Sequence, residues 1–217
     1  MAISYVGGAM GTDSATLPAF NSGDCALVFA FRDGSTTNPS LPAGWTNLTG
    51  VQDGTSCSIR VGWRRLVVGD TTTGTWTNAS RTSVVIYRGC EPFIDPFVLK
   101  AATTGTTNSA VTMTTVSMTR SDGTSWVVGS IGHRSTDTDL GTAWTGMTNR
   151  QNAADATAET CQQDTAAGVA SWSSQSRNIG GTGSGWISQM VEVLALPAQV
   201  PPEIIASPMN EPMKQAA

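Results

Sequence analysis

The run Cys25-Ala26-Leu27-Val28-Phe29-Ala30-Phe31 limits the possible folds of this chain more than any other stretch. Gly23-Asp24 precedes it and Arg32-Asp33-Gly34 follows it, so turn-forming residues bound a segment too short for most helices. It lacks polar alternation, which marks a strand buried on both faces in the middle of a sheet. The polar loop Ser35-Thr36-Thr37-Asn38-Pro39-Ser40 cannot continue that sheet, and Leu41-Pro42-Ala43-Gly44-Trp45-Thr46 then delivers a large aromatic where the chain must turn. A buried strand, a long polar connection and a returning tryptophan are expected in a two-layer β sandwich.

Composition agrees. The 217 residues suffice for one domain with a real core. Charged residues make up 13%, and seven tryptophans stand among many Thr, Ser and Gly, which points to an all-β protein rich in loops. A net charge of -4 and only two lysines, Lys100 and Lys214, argue against a nucleic-acid or anionic-membrane partner. The basic cluster Arg64-Arg65, with Arg60 nearby, reads as a solvated strand face or a contact to an acidic neighbour rather than a phosphate site. The N-terminus lacks the features of a secretory signal, and no segment approaches the ~20 apolar residues of a membrane span. The expectation is a soluble product of a reducing cytoplasm. There Cys25, Cys57, Cys90 and Cys161, which form no CxxC, stay free thiols, those of Cys25 and Cys57 buried in strands.

Ala2–Val6 reads as a first strand, with a loop from 9 to 22 in which Phe20 plugs a core edge. Cys57, Ile59, Val61 and Trp63 alternate with Ser58, Arg60 and Gly62, so one face is buried and the other wet or interfacial. Leu66 and Val68 fall out of phase, which predicts a bulge at Arg64-Arg65. Trp76 opens a returning strand, and Ser83–Gly89 is another. The phenylalanines of Glu91–Phe97 are expected to cover one end of the core. Segments 110–118 and 124–132 flank an Asp122-Gly123 signal, giving a hairpin or a strand-crossing turn. Residues 135–165 read as loop plus a strand, with room for one helical turn. Val169–Ser174 and Gly185–Leu196 close the sandwich, and no βαβ unit intervenes. After Leu196, Pro197, Pro201, Pro202, Pro208 and Pro212 mark an arm of extended or polyproline type.

Catalytic chemistry finds little footing. His133 is the sole histidine, and no G-x-S-x-G elbow accompanies it, so it reads as a strand-end polar residue. Asp137 with Asp139, and Asp155 with Glu159, read as solvated loop acids rather than a glycosidase pair or calcium ligands. The run Gly180–Gly185 precedes a strand and not a helix, so it is a loop and not a nucleotide fingerprint. Trp45 and Trp76 are expected to cap the open ends of the sandwich. Trp144 is the tryptophan best placed for an exposed contact.

Taken together, Gly23-Asp24 with its apolar strand, Pro42-Ala43-Gly44-Trp45-Thr46, Trp63-Arg64-Arg65, Gly69-Asp70, Trp76, Tyr87-Arg88-Gly89 and the closing strand from Trp186 resemble a β-sandwich domain of tailed-bacteriophage virion proteins. The resemblance covers residues 1–196 as an ordered set. It implies a concanavalin-like or jelly-roll sandwich of the kind used in capsid decoration and in tail-fibre or receptor-binding proteins, with no catalytic residues. Such domains usually sit inside longer tail proteins, and the arm at 197–217 departs from that pattern in favour of a head-surface protein. The expectation is therefore an all-β, two-layer antiparallel sandwich of jelly-roll type with an extended C-terminal arm. It would serve as a capsid decoration or cement protein, made in the host cytoplasm and resident in the virion. It would form a homo-oligomer, preferably a trimer, and bind the major capsid protein or other virion subunits without cofactor, metal, nucleic acid or membrane. Pro201, Pro202, Ile204, Ile205, Met209 and Met213 of the arm, with Trp144, are the expected partner-binding residues. The alternative is a tail-fibre or tail-tip module that binds a host-surface glycan.

Overall fold

A computed structural model describes residues 2–106, 110–135, 139–155, 157–180 and 185–196. Its strands are β1 (Ser4–Gly11), β2 (Cys25–Asp33), β3 (Thr46–Gln52), β4 (Cys57–Arg65), β5 (Arg81–Arg88), β6 (Phe97–Gly105), β7 (Val111–Met113), β8 (Val116–Ser117), β9 (Trp126–His133), β10 (Thr148–Ala154), β11 (Glu159–Asp164), β12 (Ser171–Trp172), β13 (Gln175–Arg177) and β14 (Trp186–Val193). Two five-stranded antiparallel sheets result, ordered β1-β5-β2-β4-β3 and β10-β11-β9-β14-β6. Small pairings, β12 with β8 and β13 with β7, lie beside them. The expected two-layer antiparallel sandwich is the fold. The first five strands fill one sheet before the second begins, a simpler path than the jelly-roll order, in which successive strands cross between layers.

Strand β2 lies in the middle of its sheet, as its unbroken apolar run requires. Cys25, Leu27, Phe29 and Phe31 face the second sheet and, with Ile59, Val61, Val85 and Tyr87 of the neighbouring strands β4 and β5, form one core cluster with its Trp126, Val128, Ile187 and Val191. Ala26, Val28 and Ala30 face the other way, into a layer with Trp45, Leu66, Trp76, Val84 and Ile86. The second sheet is likewise covered outside, where Val127, Ile131, Trp186 and Met190 pack under Met113, Leu140, Trp144, Met147 and Trp172. The sandwich thus has three apolar layers, one between its sheets and one over each outer face.

That cover changes several expectations. Cys57, Ile59, Val61 and Trp63 are the inner face of β4, as their alternation predicts. The opposite face is not wet, because the 35–45 loop lies across it. Ser58 donates to the Thr37 carbonyl at 2.9 Å, Arg60 Nε donates to the Pro39 carbonyl at 3.1 Å, and Gly62 lies under Leu41 and Trp76. No bulge occurs at Arg64-Arg65, since β2 and β4 stay in register through Cys25 and Arg65. The phase change instead marks the strand end, after which the Leu66 amide donates to the Asp24 carbonyl at 2.8 Å and its side chain drops into the outer layer. Trp76 opens no strand; it is fully buried in the cover loop, edge-on to Trp45 at 5.5 Å. The Asp122-Gly123 turn joins no hairpin, because β8 pairs β12 while β9 pairs β11 and β14; it is the strand-crossing alternative. Residues 148–164 form a two-stranded hairpin where one strand was expected. The arm at 197–217 lies outside the described residues.

Gly132 shows how tightly the sheets meet. A methyl group added there would sit 2.2 Å from a ring carbon of the buried Phe31. Gly132→Ala should therefore lower stability by about 1–3 kcal/mol through overpacking, read as a lower urea midpoint with an unchanged slope.

Candidate functional site

The tryptophans offer no exposed platform. All seven are buried, from 0% exposed at Trp76 to 9% at Trp63. The expectation of a surface contact at Trp144 is corrected: it is 3% exposed, inside the cover of the second sheet. Its amide donates to Gln163 Oε1 at 2.8 Å, and the Arg177 guanidinium lies 4.5 Å from its ring centroid. The apolar outer face of that sheet demands a lid, and Trp144 supplies part of it. The other expected partner-binding residues, Pro201, Pro202, Ile204, Ile205, Met209 and Met213, lie outside the described residues.

The exposed apolar surface is elsewhere. Among the described residues the large hydrophobics left in solvent are Val67 (51%), Val68 (88%), Phe93 (87%) and Ile94 (58%). They occupy two loops, 66–70 after β4 and 91–95 before β6, at the end of the sandwich where β4 and β5 finish. Arg65 ties the loops together. Its Nη2 donates to the carbonyls of Glu91 and Ile94, the latter at 3.3 Å, and its Nη1 donates to the Cys25 sulfur at 3.3 Å. Single exposed hydrophobics are ordinary; here all four stand on two loops that Arg65 holds together at one end of the sandwich.

Each loop is braced. Asp70 accepts the Val67 amide at 2.9 Å and forms an ion pair with Arg64 at 2.7 Å. Glu91 is buried, accepts the Phe93 amide at 3.1 Å and pairs with Arg120. Arg120 also donates to the Ala195 carbonyl, while the Leu196 amide donates to the Gly89 carbonyl at 3.0 Å. The last described residue therefore sits at the same end as the patch. A groove of about 360 Å³ lined by Ile3, Thr124, Trp126, Ala195 and Leu196 lies beside it. The sequence pattern misled here. Val68 carries the phase of a core strand yet tips a turn, and of the two phenylalanines expected to cover the core end, only Phe97 does so, at 2% exposed.

Behind the loops, Glu192 on β14 is fully buried and organises the 119–125 turn. It accepts the Thr119 amide at 2.8 Å, the Arg120 amide at 3.2 Å and the Ser125 hydroxyl at 2.7 Å, and pairs with Lys100 at 3.3 Å. Burial opposes its charge, but the Ser125 and Thr119 hydrogen bonds and the Arg120 amide outweigh that and hold the carboxyl below the ordinary glutamate range. Glu91 is held low in the same way, burial being overcome by Arg120 and the Phe93 amide.

The acids and the histidine considered for chemistry are dispersed. Asp155 caps the β10–β11 turn by accepting the Thr157 and Ala158 amides, both at 2.8 Å. Glu159 is a buried residue of β11 rather than a loop acid, and Asp137 lies outside the described residues. His133 ends β9, buried between Glu159 and Trp186 of the flanking strands, and burial depresses its pKa despite the Ser135 backbone. Among the described residues no cluster of three or more His, Cys, Asp or Glu side chains is placed to hold a metal ion, and no helix is long and apolar enough to cross a membrane.

Because the Glu192 carboxyl is held below its unfolded value near 4.3, the stability it contributes is complete above that pH and lost as pH falls through the folded value. Urea midpoints should decline below about pH 5, and Glu192→Gln should be less stable at pH 7 with a shallower acid decline. An unchanged acid slope in the variant would remove Glu192 from this role. Comparison with protein-family models, with curated proteins and with solved structures finds no match, so the residues described above carry the functional reading by themselves.

Proposed function

We propose that this chain is a structural protein of a tailed-phage virion, a capsid decoration or cement protein that binds and stabilises the head surface. The observation that carries the docking role is the exposed patch Val67, Val68, Phe93 and Ile94 on two loops joined by Arg65. The virion setting rests on the ordered motifs from Gly23-Asp24 to Tyr87-Arg88-Gly89. The partner is a major capsid protein subunit presenting an apolar groove to the two loop tips.

The physical case is one of rigidity and preorganisation. Loops held by buried carboxylates and backbone hydrogen bonds lose little conformational entropy when they dock. Leu196 lies at the same end, and in this reading the Ile204, Ile205, Met209 and Met213 side chains of the segment that follows supply further apolar anchors for the same partner or for a neighbouring copy in the proposed trimer. The glycan-binding alternative drew on exposed loop tryptophans, and with all seven buried it keeps no observation in its favour.

Val68→Asp with Phe93→Asp tests the reading, because both side chains are almost wholly in solvent and their loss should change stability by no more than about 0.5 kcal/mol each. The double variant should keep its melting temperature and lose most of its occupancy on heads assembled without the protein, measured by co-sedimentation. A chain ending at Leu196 should bind more weakly than the full chain. Full occupancy by the double variant would refute docking through this end, and wild-type binding to tails but not heads would refute the decoration role.

A further inference from the structure

A groove of about 430 Å³ lies beside the two braced loops, lined by Ser22, Asp24, Arg65, Arg88, Gly89 and Pro92. Phe93 adjoins Pro92 of this lining, and Val67 adjoins Leu66, whose carbonyl accepts the Gly23 amide at 2.8 Å. Two guanidinium groups reach the groove, and both are held in place. Asp24, only 3% exposed, grips Arg88 in a bidentate pair, Oδ1 accepting Nε at 2.9 Å and Oδ2 accepting Nη2 at 2.8 Å. Asp24 Oδ2 also accepts the Asn21 amide at 2.7 Å, so both carboxylate oxygens are engaged. The Nη1 of Arg88 has no acceptor among the described residues, and the side chain is 40% exposed. Arg65 is fixed by the Cys25 sulfur at 3.3 Å and by the Glu91 and Ile94 carbonyls. No carboxylate lies within ion-pair distance of it among the described residues.

The groove thus sets two cations against one carboxylate, on a chain whose net charge is -4. A guanidinium locked in place with an open N–H edge matches a planar acceptor with two oxygens, which is a carboxylate. We propose that this groove takes the carboxylate of an aspartate or glutamate from a protein segment whose apolar neighbours cover Val67, Phe93 and Ile94. That the segment belongs to a capsid subunit rests on the docking role proposed above, whereas the carboxylate is set by the groove alone. A local positive site on an acidic chain acts on encounter and register more than on raw affinity. It would seat the acidic residue first and so fix which apolar side chains meet the loop tips.

The other cations at this end of the sandwich are already matched. Arg64 pairs with Asp70 at 2.7 Å, and Arg120 pairs with Glu91. The excess positive charge therefore sits in the groove and not on the loops around it. Ser22 offers a way to change that charge without touching the machinery. It is exposed on the rim, in the turn closed by the Asp24 amide and the Asn21 carbonyl at 3.0 Å. Its hydroxyl makes no hydrogen bond among the described residues, so substitution there leaves Asp24, Arg65 and Arg88 with all their partners.

Full-length Ser22→Lys, Ser22→Gln and Ser22→Glu proteins are compared by co-sedimentation with heads assembled without the protein. Lysine should tighten binding roughly threefold, glutamate should weaken it by a similar factor, and glutamine should leave it unchanged. The spread should collapse in about 0.5 M NaCl. A direct probe needs no heads: a short synthetic peptide with one aspartate between two leucines, and its asparagine counterpart, are titrated into isotope-labelled full-length protein. Only the aspartate peptide should shift the Gly23 and Gly89 amide signals, and Ser22→Glu should abolish that shift. An equal response to both peptides would overturn the proposal, as would lysine and glutamate moving head binding in the same direction. Inorganic phosphate that shifts the same signals at lower concentration than the aspartate peptide would overturn it in favour of a phosphate site. Full head occupancy by Val68→Asp with Phe93→Asp, while the aspartate peptide still binds, would sink the docking role and leave the carboxylate site standing.

Discussion

A sheet whose central strand has no wet face has to be covered twice. That constraint, set by β2, governs the rest of this molecule. The inner face of β2 is met by the second sheet, and its outer face by loops that carry Trp45, Leu41 and Trp76 across β4. Because the second sheet also has an apolar outside, it in turn recruits β7, β8, β12, β13 and the loop around Trp144. Long irregular connections are thus not ornaments on the sandwich. They are its outer layers, and hydrogen bonds tie them to the strands beneath in both directions: Ser58 and Arg60 donate to the loop carbonyls of Thr37 and Pro39, and the Asn38 side-chain amide donates to the strand carbonyls of Val51 and Ile59 at 2.9 and 2.5 Å.

This explains which parts of the fold were legible in the sequence. The run from Cys25 to Phe31 and the alternation from Cys57 to Trp63 follow from side-chain chemistry alone, and both hold. What failed were inferences that equate polar with wet. Ser58 and Arg60 look solvent-facing but hydrogen-bond to loop carbonyls, and Glu159, expected as a solvated loop acid, shares a wholly buried strand with Gln162, Gln163 and Asp164. Their burial depends on partners remote in sequence. Asp164 is satisfied by Nε and Nη2 of Arg150 and by the Tyr87 hydroxyl, each at 2.9 Å, and Gln162 by Ser83 on the opposite sheet. No local pattern announces a match between residues 77 or 79 positions apart.

The candidate site was hidden for the converse reason. Val67, Val68, Phe93 and Ile94 resemble core residues, and only the placement of Arg65 and the end of β4 reveals that they are not. Trp144 failed in the opposite direction, since a tryptophan flanked by Gly and Thr reads as exposed until the sheet beneath it is known to need cover. The fold alone could not separate these cases, because a sandwich supports many functions and the candidate site lies in its loops.

Tryptophans occupy every layer of the molecule. Trp63 and Trp126 lie between the sheets, Trp45 and Trp76 over the first sheet, and Trp144, Trp172 and Trp186 over the second. The chain therefore carries a fluorophore in each of its three apolar strata. Single-tryptophan versions would time the hydration of cover and core separately, turning the order in which the layers come apart into an optical signal.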